Sequence, residues 1–576
     1  MKHFYTSFFV KHIFAVLDRR DKIFFIYLFG LSTAISLIEF IGVSAIIPFV
    51  GMITDNAVIK NNKYINFFYN LFNFSSMPQF IVAFGLFLVA YFFFRGFFNL
   101  YYYYMIARFS YGRYHKFSNK LFNKILYSPY KKFQHQDSSS IYRSIINETL
   151  NASQLLVSLL NILAESMVVI FLYLLLLYVN IKATISITII FVALFITVFL
   201  FISKKMRTVS HERSMSLKET YEILTNFFHN FKFIKLISCE NFLQKNFNNN
   251  INKIAKAYIK SYSLHNFPRL FLETIGFGII IIFFLYVLFY NKANISYAIT
   301  FISIYILALY RMLPSFNRIL SNYNSILFNY KSIEIIHNEL NSPTDTCGNK
   351  PIFLNKYIKT ENLTFYYHEK PYILDNVNIT INKSEKIGII GKSGAGKSTF
   401  LDLLMAFLTP VKGRILIDNI ELMNDYIKSW RNLIGYIPQN FFLFNDTIEQ
   451  NIVFGRDMDN ERLLKVIRQA HIEHLIDKNN QLNKRIGEGG SLLSGGEKQR
   501  IALARALYGN PDIIIMDEAT NSLDFEVENE IMNDLFKECS DKTIIIVSHR
   551  LNTVERCDKI YLLADGKLLH YNDDQL

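Results

Sequence analysis

Six apolar stretches, each long enough to cross a bilayer, fill about half of the first 313 residues, at about 23–53, 79–107, 153–179, 181–202, 266–290 and 293–313. A spanning helix takes about 20 such residues, and lipid admits little besides helices that satisfy their own backbone. The expectation is an all-α six-helix transmembrane domain over residues 1–340, with long cytoplasmic extensions. The third and fourth stretches are separated by a few residues around Lys182, and the fifth and sixth by Asn291 and Lys292. Each pair therefore reads as a tight hairpin. The first 22 residues mix charge with aromatics, and no small-residue cleavage site follows, so a cleavable signal is not expected.

Charge orients these stretches. Residues 1–343 carry 33 Lys and Arg against 14 Asp and Glu, a net of +19. Residues 344–576 carry 28 against 33, a net of −5, which leaves the chain at +14. A basic protein can bind nucleic acid, but here the basic part is also the apolar part, and cationic loops beside apolar spans mark the cytoplasmic side. Arg108, Arg113, Lys116, Lys204 and Lys205 lie in the long connections 108–152 and 203–265, whereas 54–78 holds only Lys60 and Lys63. The N-terminus, both long connections and the chain after the sixth span are expected in the cytoplasm, with no nucleic acid partner. Cys239, Cys347, Cys539 and Cys557 show no CxxC spacing and read as reduced thiols.

A polar stretch with Pro and Gly, 341–355, reads as a linker. Beyond it, short apolar strands alternate with amphipathic helices, so 356–576 is expected to be an α/β domain. Gly391-Lys392-Ser393-Gly394-Ala395-Gly396-Lys397-Ser398 satisfies G-x-x-x-x-G-K-[ST] between an apolar strand and a helical pattern that takes in Thr399. Such a loop turns backbone amides and a helix N-terminus onto phosphates, its Lys reaches the β- and γ-phosphates, and its Ser holds Mg²⁺. ATP and Mg²⁺ are the cofactors this implies. IIIMDE, 513–518, supplies a buried strand ending in Asp517 for the metal, with Glu518 next to it as general base for the attacking water.

Between these motifs, Leu493-Ser494-Gly495-Gly496-Glu497 resembles the ABC-transporter signature, and the six spans followed by one ATPase domain resemble an ABC exporter half-transporter. The resemblance gives Gln439 the role of the Q-loop residue on Mg²⁺ and His549 that of the switch histidine. It makes Tyr367 the aromatic that stacks on adenine, NSLD at 521–524 the D-loop, and GEGG at 487–490 the segment before the signature. Ser494, Gly495 and Gly496 of one protomer would close over the P-loop of another, implying a homodimer. Two positions depart from the family pattern: Glu497 replaces the usual Gln, and Asn521 the usual Ser. HNFKFIKL, 229–236, is expected to couple the two halves.

Four arginines in or near the spans, Arg95, Arg269, Arg311 and Arg318, are candidates for touching cargo. They fit capture of an anionic headgroup, because guanidinium binds phosphate bidentately. They also fit plain positive-inside placement, with Arg269 neutralised by Glu273 and with Glu39 and Glu165 as further partners. ARFSYGRYHKFSNKLFNK (107–124), FPRLFLETIGF (267–277) and ISIYILALYRMLPSFNRI (302–319) are similar to the PglK-type flippase of bacterial N-glycosylation. That resemblance implies an inner-membrane flippase for an undecaprenyl-pyrophosphate-linked oligosaccharide, with an amphipathic outer helix in 54–78. A lipid A or phospholipid flippase, or a multidrug or peptide exporter, shares the ATPase motifs.

Overall fold

The computed structural model describes residues 17–54, 67, 69–71, 74, 76–134, 138–179, 181–290, 295–345, 347–367, 372–475, 485–518 and 525–571. The chain forms two compact units. One comprises Met1–Leu126 with Gln136–Pro343, the other Tyr127–His135 with Thr344–Leu576.

In the first unit the described part of every apolar stretch lies in a long helix: α1 (Arg19–Thr54), α2 (Met77–Leu126), α5 (Thr149–Val179), α6 (Ile181–His229), α8 (Glu240–Tyr290) and α9 (Ile295–Leu340). By length and composition, three described helical stretches can cross a membrane: Arg19–Ile46, Met77–Leu126 and Ser140–Tyr178. The basic connections continue the spans as helix, so α2 runs for 50 residues and α8 for 51. Leu28, Tyr102, Ile106, Leu156 and Ile336 close a seam among α1, α2, α5 and α9, while Met206, Ala257 and Phe328 join α6, α8 and α9. α9 continues through Pro314.

Short elements link the long ones. The helix α4 (Ser138–Arg143) passes into a π-turn, Ser144–Glu148, before α5. Glu148 is buried there, and the Ser332 hydroxyl donates to it at 2.5 Å. The stretch expected to couple the halves forms α7 (Phe231–Ile237), which ends at Ser238 in the left-handed region and leaves Phe231, Phe233 and Leu236 exposed. Most of 54–78 lies outside the described residues. Its Tyr69 and Phe74 pack on Phe80, in a cluster that also holds Met52.

The second unit has two sheets. β1 (Tyr357–Phe365), β2 (Leu374–Asn382), β4 (Lys412–Ile417) and β5 (Ile420–Glu421) form an antiparallel sheet in the order β2-β1-β4-β5. The second sheet runs β10-β9-β3-β8-β7-β6, from β3 (Lys386–Ile390), β6 (Ile434–Ile437), β7 (Ile513–Asp517), β8 (Thr543–Val547), β9 (Lys559–Ala564) and β10 (Lys567–His570). It is parallel except for the β9–β10 hairpin. β7 and β8 are buried throughout, as continuous apolar runs in a doubly covered parallel sheet should be. Residues 127–135, which the sequence placed with the membrane half, belong to this unit. Their helix α3 (Tyr130–Gln134) brings the Tyr130 ring to 5.0 Å from that of Phe407, and the Asp345 amide donates to the Tyr127 carbonyl at 2.8 Å.

Candidate active site and membrane polar cluster

β3 ends beside Gly391, and helix α10 (Lys397–Leu404) begins six residues later. Glycine is needed at two points of the turn. A Cβ on Gly391 would lie 2.5 Å from the Leu563 carbonyl oxygen, and Gly396 caps α10 at φ 102°, where a side chain is strained. No side chain caps α10, so its first N–H groups face an anion's place directly. Ser393 and Gly394 form the exposed crest, and the Ala395 amide donates back to the Lys392 carbonyl at 3.1 Å. Lys397, 7 % exposed, donates to the carbonyls of Gly391 at 2.8 Å and Lys392 at 3.2 Å. Open amides, an uncapped helix start and an adjacent ammonium form a donor set that fits a polyphosphate.

The carboxyl end of β7 delivers the acidic residues. Asp517 is buried, and burial pushes its carboxyl up while the Ser398 hydroxyl, bonded to it, pulls the other way. Ser398 and Asp517 are thus together as a hard, oxygen-rich pair suited to Mg²⁺. Glu518 sits at φ 47°, a rare region for a side-chain-bearing residue, with its amide held by the Val547 carbonyl at 2.9 Å. Three further residues expected at the site converge on its carboxylate. Gln439 Nε2 donates to it at 2.7 Å, His549 Nδ1 lies at 3.7 Å and Lys397 Nζ at 3.9 Å.

The signature segment opens helix α11 (Gly495–Tyr508). Ser494 is its N-cap, with a reciprocal capping box: the Glu497 amide donates to the Ser494 hydroxyl, and the Ser494 amide to the Glu497 carboxylate at 2.6 Å. That backbone bond is the first cause holding the Glu497 carboxyl below its usual range. The departure from Gln therefore places a charge at a helix N-terminus, where the dipole favours it. Tyr367 packs edge-on against Phe365 at 5.0 Å; 368–371 and the expected D-loop, 521–524, lie outside the described residues.

Two of the four span arginines have carboxylate partners. Arg95 Nη2 donates to Glu39 at 2.7 Å, and Arg318 bonds Glu165 through two nitrogens at 2.5 and 2.9 Å. Glu39, Glu165 and Arg318 line one cavity of about 160 Å³ between α1, α2, α5 and α9. Arg269 lies on α8 and Arg311 on α9, with side chains outside the described residues.

Residues 374–521 match the ABC transporter family, and residues 34–312 the ABC transporter transmembrane region. The chain carries both halves of an ABC exporter. A solved bacterial Atm1-family ABC exporter with ATP bound superposes with a TM-score of 0.79 over 96% of this chain and 94% of that one, at 21% identity, a likeness of fold. The alpha-hemolysin translocation ATP-binding protein HlyB of Escherichia coli is 40% identical over 235 residues, 40% of this chain. The mitochondrial iron-sulfur clusters transporter atm1 of Aspergillus fumigatus is 41% identical over 226 residues, 38% of this chain. These matches span about a third of each relative, 33% and 31%.

The sequence did not single out two residues at this ABC ATPase site. Asp402 is partly buried beside Asp517, and burial with that neighbouring charge raises its carboxyl to about 6. The signal was available: Asp402 stands four residues after Ser398, on the same helical face. Tyr436 on β6 bonds Asp517 through its hydroxyl and is pushed upward by burial. Only the pairing of β6 with β7 brings it there.

Proposed function

We propose that this exporter is an ATP-driven flippase that carries an undecaprenyl-pyrophosphate-linked oligosaccharide from the cytoplasmic to the outer leaflet of a bacterial inner membrane, working as a homodimer. The observation that carries this reading is the polar cavity among α1, α2, α5 and α9. Ionisable groups inside membrane helices are costly and tend to mark a cargo path, and this cavity gathers three of them with amides and phenols. The similarity of 107–124, 267–277 and 302–319 to the PglK-type flippase supports the same cargo. The curated relatives matched over about 230 residues each cover 38–40% of this chain and leave the cargo open.

ATP and Mg²⁺ supply the free energy and the charge neutralisation when bound. The P-loop amides and Lys397 would hold the phosphates, Ser398, Gln439 and Asp517 the metal, and Tyr367 the adenine. Glu518 accepts the proton of the attacking water, with Gln439 fixing its carboxylate and His549 beside it. Ser494, Gly495 and Gly496 would complete the site from a second copy of the chain.

The deciding experiment is ATP-dependent flipping of a fluorescent lipid-linked oligosaccharide by the full chain in proteoliposomes, beside a fluorescent phospholipid. Translocation of the oligosaccharide lipid alone is the expected result. Equal or preferential movement of the phospholipid would replace this cargo with a general lipid.

A further inference from the structure

We infer that the cavity among α1, α2, α5 and α9 binds a neutral, hydroxyl-rich group, such as one sugar ring, and does not bind an anion. This rests on the flippase reading above and names which part of the cargo the cavity would contact. The first observation is charge compensation. Arg318 is bound through two nitrogens to Glu165, and Arg95 is bound to Glu39. Arg318, the guanidinium on the cavity lining, already faces a carboxylate in the geometry an anion would need, so a phosphate would have to displace a nearly buried carboxylate to reach it.

The second observation is an orphan. Tyr102 is 2 % exposed and lines the cavity, yet its hydroxyl has no hydrogen-bond partner. Ser32 stands beside it without forming a hydrogen bond of normal geometry, its own proton given to the Phe29 carbonyl at 2.7 Å. An unsatisfied buried hydroxyl costs stability and calls for a partner that the protein itself does not supply. Asn99 and Asn161 lie on the same lining. Two amides and a phenol, each able to donate and accept, match the alternating donor and acceptor character of vicinal hydroxyls.

The position suits a cargo headgroup entering from the cytoplasmic leaflet. Counted along the helices at about 1.5 Å per residue, Glu39, Arg95 and Glu165 lie roughly 20–27 Å from the outer ends of α1, α2 and α5. That is near the inner edge of a hydrocarbon layer about 30 Å thick.

The test is equilibrium binding to the full chain in phosphatidylcholine nanodiscs, with two probes: a radiolabelled monoglucosyl diacylglycerol and radiolabelled farnesyl pyrophosphate. Tyr102→Phe and Asn161→Ala are compared with the unaltered chain, together with thermal stability in the absence of probe. The glucosyl lipid should bind, and each substitution should weaken it by about three- to tenfold, the worth of one hydrogen bond. Tyr102→Phe should leave the probe-free protein as stable or more so, because the orphan hydroxyl is gone. Unchanged glucosyl-lipid binding in both variants would mean the cavity holds water only and would overturn the inference. Binding of farnesyl pyrophosphate alone would overturn it while leaving the flippase reading standing. Binding of neither probe would overturn both.

Discussion

Removing one partner of the Arg318–Glu165 pair should cost more on one side than on the other. Glu165 has an 11 % exposed side chain and receives two hydrogen bonds from Arg318, whose own side chain is 42 % exposed. Arg318→Ala strands a nearly buried carboxylate. A fully buried stranded charge costs about 3–5 kcal/mol, and the adjoining cavity lets water approach, so about 2–3 kcal/mol is expected. Glu165→Ala strands a guanidinium that is less enclosed by the chain, for about 1 kcal/mol. Replacing both by apolar residues of similar size, Glu165→Leu with Arg318→Met, should fall within about 1 kcal/mol of the unaltered chain, because neither charge is then stranded. The assay is denaturation in mixed detergent micelles followed by helical circular dichroism. Trp430, the only tryptophan and buried in the second unit, gives a fluorescence control that should not move. Equal losses in the two single variants, or a double variant as impaired as their sum, would refute the account. The double variant also bears on cargo: retained flipping would show that Arg318 serves as structure, and lost flipping with normal stability would restore it as an anion ligand.

Two perturbations of the second unit follow from its geometry. Glu518→Gln should keep ATP binding and lower hydrolysis by about 10²–10⁴-fold, whereas Lys397→Ala should lose both; wild-type turnover in either variant would discredit its assigned role. Asp402→Asn should stabilise nucleotide-free protein at pH 8 by about 2 kcal/mol, discounted from a rise of roughly two pKa units at 1.36 kcal/mol each. The sign follows from linkage: a carboxyl raised in the folded state destabilises once deprotonated. The gain should therefore be full above pH 6 and vanish below pH 4, and Trp430 fluorescence unfolding across that range reads it. A gain that grew towards acid would contradict the placement of Asp402 beside Asp517.

What was legible in the sequence followed local rules. Helices are written in apolar runs, and the P-loop, the strand ending in Asp517 and the capped signature segment are contiguous motifs whose chemistry sits within a few residues. Pairings across elements were not legible in this way. Glu39 and Glu165 could be named as possible partners, but which arginine each meets depends on α1 lying beside α2 and α5 beside α9, at separations of 56 and 153 residues. Tyr436 reaches Asp517 only through the parallel pairing of β6 with β7, in which Tyr436↔Ile515 and Ile437↔Met516 are each 79 residues apart in the chain.

The grouping of Tyr127–His135 with the ATPase unit has the same origin and the larger consequence. Composition assigns this segment to the basic connection after the second span, and it shows no apolar run of its own. Two contacts hold it: the Asp345 amide bonds the Tyr127 carbonyl, and Tyr130 packs on Phe407, three residues beyond the end of α10, whose ring also lies 4.7 Å from the Arg431 guanidinium, itself donating to the Ala406 carbonyl at 2.6 Å. Tyr130 also lies close enough to Tyr436 to act on its hydroxyl electrostatically, and Tyr436 bonds Asp517. Tyr127–His135 therefore packs on the turn that follows α10, and Tyr130 is linked to Asp517 through one intermediate phenol.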